Sequence, residues 1–363
     1  MSFRMRQFWP LCLLTCAATT LHAQAIPIRE LAVSETKSGE RFGNIFSVRQ
    51  LTGGRVLVND GVRRQLVILD ANLADRKVLV DSVVEGGQSY GSRAAPFIPY
   101  LGDSTLFVDE ASLSFVLIDP AGKITRVMSP PKAKDMLWLT RGTSGVDHQG
   151  NLVYRSMYPS TRIPASGNTR AKFVYPDSAP LIRANFETRV LDTIGTVKIQ
   201  PTVPVDESKD AKGNWIMKIT LNPLPLVDEW AVLSNGTVAM VRGADYHIDL
   251  VEPDGTRRSA PKLPFDFRRL TDADKQLLVD SARAAEEKRR ATAVPMPPQS
   301  GREAAIQPTR PSMPPLVEFV PFSALPDYYP PIRNGATKAD ADGNLWILPT
   351  TSARSLKGEL VYD

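Results

Sequence analysis

Cysteine is nearly missing. The chain has two, Cys12 and Cys16, and both fall inside a leader-like segment. Arg4 and Arg6 precede the short apolar run "FWPLCLLTCAATTL", and "AQA" at 23–25 follows it. A charged start, an apolar middle and small residues at the end are the order of a secretory signal, so residues 1–25 are expected to be removed. A lipoprotein reading of "LLTC" (13–16) fits less well, because Cys16 cuts the apolar run short and Thr15 suits that position poorly. The mature chain then has no disulfide, no thiol nucleophile and no Cys-ligated metal. Histidine is equally scarce: only His148 and His247 remain past the leader. A multi-histidine metal site is thereby excluded, and no metal or cofactor is assigned.

A charge excess of one sign is also lacking. Lys and Arg number 44 against 39 Asp and Glu, and 42 against 39 once Arg4 and Arg6 are removed. The small excess is scattered, which gives no reason to propose nucleic acid. No later run approaches ~18 apolar residues, so the mature chain is expected to have no transmembrane segment and to be periplasmic or secreted. Helix-period patterns are nearly absent before residue 268.

What is present instead is a repeat of short Val/Ile/Leu/Phe runs and turn residues, the all-β signal. In "GRVLVNDGVRRQLVILD" from Gly54, Asp60 follows six residues on and Asp70 ten after that. "DSTLFVDEASLSFVLID" from Asp103 places Asp109 and Asp119 at the same offsets, and "GTVAMVRGADYHIDLVE" from Gly236 places Arg242 and Glu252 there. Each copy reads turn, apolar strand, polar loop, apolar strand, acid. Two further copies, "GVDHQGNLVY" (145–154) and "KADADGNLWI" (338–347), align through Asp147/Asp340, Gly150/Gly343 and Asn151/Asn344. Turn marks near 54, 103, 150, 236 and 343 suit four-stranded blades of ~40–50 residues. The wider gaps must hold insertions. The expected fold is all-β, a β-propeller over residues 26–363, with one inserted α-helix.

"D-x-x-G-N-L-[WV]", "V-x-D…F-V-L-I-D-P-x-G" and the leader together resemble exported bacterial six-bladed propellers of the NHL/TolB-like kind. "GSRAAPFIPYLGDSTLFVD" and "DEWAVLSNGTVAMVRGADYHIDLVEPDG" look like a group of bacterial propeller proteins of uncharacterised function. The resemblance covers most of 44–363 and implies six blades. It specifies fold rather than activity. "GELVYD" stops at Asp363, which closes the third strand of the fifth copy. The expectation is a truncated sequence, the C-terminal part of the propeller lying beyond it; closure by "IPIRELAVS" (26–34) is the alternative and does not exclude this.

Residues 268–315 read as an insertion. "LTDADKQLLVDSARAAEEKRRATA" (270–293) is the one strong helix, with Thr271 capping and Asp274 three residues later; Leu277, Leu278, Ala284 and Ala285 form its apolar side. It is expected to lie on the propeller. "VPMPPQSGREAAIQPTRPSMPP" (294–315) reads as an extended linker. "DAKGNWIMKI" (210–219) sits too close to Gly236 to begin a blade and reads as an added strand or hairpin.

Two motif matches fail. "GQSYG" (87–91) fits G-x-S-x-G, but Pro96 and Pro99 deny the helix that a Ser89 nucleophile needs. "DADGNLWIL" begins like a calcium loop, yet Gly343 is fourth from Asp340 and position twelve is Thr351 rather than Glu. It is blade punctuation.

In a propeller the turn between the first two strands lies on one face. The second-to-third-strand loops and the blade crossings lie on the other, where ligand sites usually form. That face is expected to carry Asp60, Asp109, Glu110, Arg155, Arg242, Asp245, Tyr246 and His247, with Ser89, Tyr90 and Arg93 from a crossing. Such acids and arginines could bind a polar or anionic ligand, or a cation through carboxylates; they could equally form a solvated rim of local salt bridges. Of these, Arg93, Asp109, Glu110, Arg155, Arg242, Asp245, Tyr246 and His247 are the candidate ligand residues. The expected function is non-catalytic binding of a small polar ligand or a protein partner. One alternative is a lactonase-like hydrolase holding a divalent ion on Asp60, Asp109, Glu110 and Asp245, which the nearby Arg242 opposes. The other is a structural module of an envelope assembly.

Overall fold

The computed structural model describes residues 31, 36–81, 90, 94–109, 112–139, 143–156, 161–163, 172–174, 176–200, 206–209, 215–292, 316–350 and 362–363. The leader and residues 294–315 lie outside these. Residues 1–34 form one unit and residues 35–363 another; the second is the propeller.

Blade 1 is the antiparallel sheet of β1 (Ile45–Gln50), β2 (Val56–Asp60), β3 (Gln65–Leu69) and β4 (Arg76–Val80). Blade 2 repeats it with β5 (Phe97–Pro99), β6 (Thr105–Asp109), β7 (Ser114–Ile118) and β8 (Ile124–Met128). A short helix, α1 (Met136–Leu139), leads into blade 3, whose strands are β9 (Ser144–Val146) and β10 (Leu152–Arg155). After the separate hairpin of β11 (Thr161–Ile163) and β12 (Lys172–Val174), blade 3 resumes with β13 (Ser178–Ala184) and β14 (Leu191–Lys198). The long loop expected in this copy thus carries a hairpin of its own. A hairpin of β15 (Asp206–Lys209) and β16 (Trp215–Leu221) follows, as "DAKGNWIMKI" implied. Blade 4 is β17 (Glu229–Val232), β18 (Val238–Arg242), β19 (His247–Val251) and β20 (Arg257–Ser259).

Beyond it come α2 (Asp272–Thr292) and β21 (Leu316–Phe319). β22 (Thr337–Ala339) and β23 (Leu345–Ile347) open a fifth blade, to which Asp363 bonds through both backbone groups of Ile347. The described residues therefore make four full blades and part of a fifth. The first strands β1, β5, β9, β17 and β22 stack on one another in that order, which makes this a propeller rather than a sandwich.

Period-two alternation explains the stacking, since every strand must bury both faces. In β6, Phe107 joins Leu66 and Ile118 in the seam between blades 1 and 2. Its neighbours Leu106 and Val108 join Leu152 and Tyr154 in the next seam. Val153 then packs with Trp230 and Met240, and Val241 with Ile332 and Ile347. The outer flank of β1 departs from this. Val48 is 59% exposed, while Phe97, at the equivalent position of β5, is 9% exposed.

One five-residue turn joins the first two strands of every blade, closed by amides of Leu51, Tyr100, Asp147, Leu233 and Asp340 on carbonyls four residues ahead. Asp147 Oδ1 accepts the Gln149 and Asn151 amides, and Asp340 Oδ1 accepts those of Asp342 and Asn344. Gly150 and Gly343 take positive φ of 83° and 86°. These carboxylates are occupied in bending backbone, the physical content of the calcium-like motif.

The two insertions meet. β21 pairs parallel to β16, giving the sheet β15–β16–β21, and α2 packs on β21 and the turn Phe322–Ala324. Thr271 and Asp274 form the expected reciprocal cap. The expected apolar side is corrected: Leu277 is 67% exposed and Ala284 and Ala285 are also exposed, whereas Val279 is buried beside Leu224, Leu270 and Leu325. The inward stripe runs Lys275, Leu278, Val279, Ala282, Glu286. Lys275 is tolerated on it because its ammonium reaches Asp327 at 2.9 Å.

Candidate functional site

The second-to-third-strand loops and the blade crossings share one face. There, in blades 1, 3 and 4, the residue just past or ending the second strand ties that hairpin to the segment leading into the blade. In blade 1, Asp60 accepts the amides of Gly43, Asn44 and Arg63. Burial raises its pKa, but these amides and Arg63 outweigh burial and hold it below the usual carboxylate value. In blade 3, Ser156 donates to Asp135 Oδ2 at 2.9 Å, beside the Tyr154 hydroxyl at 2.7 Å. In blade 4 the charge is reversed: Arg242 Nη1 reaches Asp228 Oδ2 at 2.8 Å, and Asp228 Oδ1 takes the Gly243 amide. Asp109 of blade 2 takes the Ser112 hydroxyl of its own loop.

Arg242 is therefore saturated. Its Nε meets Asp249 Oδ2 at 2.7 Å, and its Nη1 also donates to the Thr196 carbonyl at 2.7 Å. Burial lowers its pKa, and Asp249 and Asp228 more than compensate. His247 continues the chain of charges, with Nδ1 2.6 Å from Asp245 and Nε2 3.2 Å from Asp249. Lys262 stands 3.4 Å from Asp245. Arg242, Asp245 and His247 are thus brought together.

Tyr246 is not part of that surface. Its φ of 55° is left-handed, as are those of Arg64 (56°) and Leu113 (53°) at the matching positions of blades 1 and 2. The turn swings the Tyr246 ring into the seam with the fifth blade, fully buried, and its hydroxyl donates to Asp363. Burial, reinforced by Asp363, raises the pKa of that phenol. Tyr90 is likewise buried, its hydroxyl on Asn59 at 2.5 Å. Arg93, Glu110 and Ser89 lie outside the described residues.

Arg155 ends β10 on the same face, paired through its backbone with Leu181, and its guanidinium makes no hydrogen bond or ion pair with another described residue. Its charge acts on Glu229, the first residue of β17, which the sequence reading passed over. Glu229 is 8% exposed at the inner end of blade 4. Burial raises its pKa, the Gly335 amide, Arg155 and Thr337 pull it down, and Asp228 adds a small rise; the result is about 7. Thr337 is a weak helper, since its hydroxyl donates to the Trp230 carbonyl at 3.1 Å. The signal for Asp228 and Glu229 was legible as "VDEWAV": two acids opening an otherwise apolar strand.

Among the described residues no helix is long and apolar enough to cross a membrane. No family model matches the chain, and no curated protein matches it. Solved structures do resemble it. A Bacteroides fragilis protein described as exported is 12% identical, with a TM-score of 0.35, over 70% of this chain and 60% of that one. A catalytically inactive virginiamycin B lyase from Staphylococcus aureus with quinupristin is 10% identical, with a TM-score of 0.30, over 66% and 75%. A Bacteroides thetaiotaomicron protein of unknown function is 9% identical, with a TM-score of 0.31, over 64% and 61%. The β-propeller assignment rests on this chain's own sheet order and stacked first strands.

Proposed function

We propose that this chain is a non-catalytic, exported propeller, six-bladed as its resemblance implies, that binds a polar ligand on the face of the second-to-third-strand loops. The observation that carries this reading is the contrast between its two arginines. Arg242 is saturated by Asp228, Asp249 and Thr196, whereas Arg155 has donors without partners among the described residues, next to buried Glu229. A guanidinium at a propeller mouth whose donors no described residue occupies is a ready anchor for an anionic group.

The hydrolase reading has less support. Asp60 is engaged by amides, Asp109 by Ser112 and Asp245 by His247 and Lys262, and the three belong to different blades. A divalent ion would need such carboxylates converged and unengaged.

Thermal unfolding against a panel of polar metabolites tests the proposal. A compound that raises Tm in the wild type and not in Arg155→Ala supports it. A panel without a shift, or shifts indifferent to that substitution, sinks it. A stoichiometric divalent ion in purified protein, with hydrolytic activity lost on chelation, would restore the alternative.

A further inference from the structure

The two insertions and the end of blade 3 border a cleft. The first half of α2 is held by Leu278 and Val279, which cluster with Leu224, Leu270, Leu325 and Phe319. Further along the helix Ala282 and Ala285 reach less far. Across from them stand Leu221 at the end of β16, Pro223 just past it, and Phe319 at the end of β21. The space between is about 390 Å³, within the range of small-molecule pockets. These five residues give it an apolar floor.

Its polar groups come from Gln200, Asn222, Glu286 and Arg289. Gln200 Nε2 donates to the Asn222 carbonyl at 3.1 Å, and Asn222 Oδ1 accepts the Leu224 amide at 2.8 Å. These bonds fix both side-chain amides and leave Gln200 Oε1 and Asn222 Nδ2 unoccupied by any described residue. Glu286 accepts Arg289 Nε at 2.6 Å and Nη2 at 2.7 Å, and Arg290 Nε at 2.8 Å. One carboxylate is thus shared by two guanidiniums, and this wall keeps an excess of one positive charge. No other described acid lines the cleft.

We propose that this cleft binds a small ligand with an apolar body and a single negative charge, the body on Leu221, Pro223 and Phe319 and the charge at Arg289. None of the lining residues belongs to the second-to-third-strand loops, so this is a site apart from the mouth and does not depend on it. A cationic ligand would meet the positive excess. A wholly polar one would leave the apolar floor unused. Asn222 Nδ2 and Gln200 Oε1 stand as a donor and an acceptor for polar atoms on the ligand.

The test is ligand-observed NMR on the full chain with three probes of one aromatic body and different charge: phenylacetate, phenethyl alcohol and phenethylammonium. The wild type should bind phenylacetate roughly fivefold more tightly than the alcohol, and the ammonium least, with the anion's advantage shrinking as salt is raised. Arg289→Gln should abolish that advantage. Ala285→Phe, at an exposed helix position, fills the cleft and should abolish binding of all three. Arg283 pairs with Asp280 at 2.9 Å outside the cleft, so Arg283→Gln should bind as the wild type does. Unfolding curves establish that each variant is folded. The proposal is overturned if phenylacetate does not bind, or if the alcohol or the ammonium binds as tightly. Unchanged binding in Arg289→Gln or in folded Ala285→Phe overturns it as well. So does an equal loss in Arg283→Gln and Arg289→Gln, since the charge of the whole helix would then be responsible.

Discussion

Arg242 Nη1 lies 2.8 Å from Asp228 Oδ2, joining the end of one strand to the lead-in of its neighbour. Asp60 performs the same junction in blade 1 with backbone amides in place of a cation. A repeated position can thus change from acid to arginine and keep its work, because the partner changes with it.

Arg242→Ala should therefore act on stability. It leaves Asp228 and Asp249 without their shared cation in a partly buried setting, at a cost of about 2 kcal/mol. Urea unfolding measures this, and an unchanged midpoint would show that the cluster is only a solvated rim. Arg155→Ala should leave the midpoint within about 0.5 kcal/mol.

Asp60→Ala removes the acceptor of three amides and should cost about 2 kcal/mol at pH 7. The pH dependence has a definite sign. Asp60 is held below its unfolded pKa, so its contribution is present above that value and lost as pH falls through the folded one. The difference between wild type and variant should shrink in urea melts taken from pH 5 down to pH 2.

Gly243→Ala tests the loop of blade 4 directly. A Cβ there would stand 1.9 Å from the Val227 carbonyl oxygen, an overlap only backbone movement relieves. A loss of more than about 3 kcal/mol is expected. Wild-type stability in this variant would mean that the loop moves away from Val227 at no cost.

Much of the fold was legible because blade geometry imposes a fixed count. The offsets from Gly54 to Asp60 and Asp70 are strand and loop lengths, and the same numbers recur wherever the strands must stack. The site was less legible for an equally physical reason. Tyr246 looks exposed in "RGADYHID" because a polar loop surrounds it, and only its left-handed φ shows that the ring turns inward. Glu229 was hidden by the opposite effect, as an acid at the start of an apolar strand whose burial depends on blade 5, about a hundred residues later. On α2, Leu277 was assigned to the wrong side because the accessory sheet that selects the buried stripe comes from a second, distant insertion.

Glu229 itself carries the last prediction. Its pKa is raised on folding, from the ordinary value of 4.5 to about 7. The sign is that of an acid favouring its neutral form: the stability it contributes is full below the unfolded value and is lost as pH rises through about 7. Each pKa unit corresponds to about 1.4 kcal/mol, so the ionised form at pH 8 costs the fold up to about 3 kcal/mol. Glu229→Gln removes that cost while keeping the shape. Its stability should match wild type near pH 4 and exceed it at pH 8, with most of the gain appearing between pH 5 and pH 7. Parallel curves for the two proteins across that range would mean that Glu229 is solvated when folded.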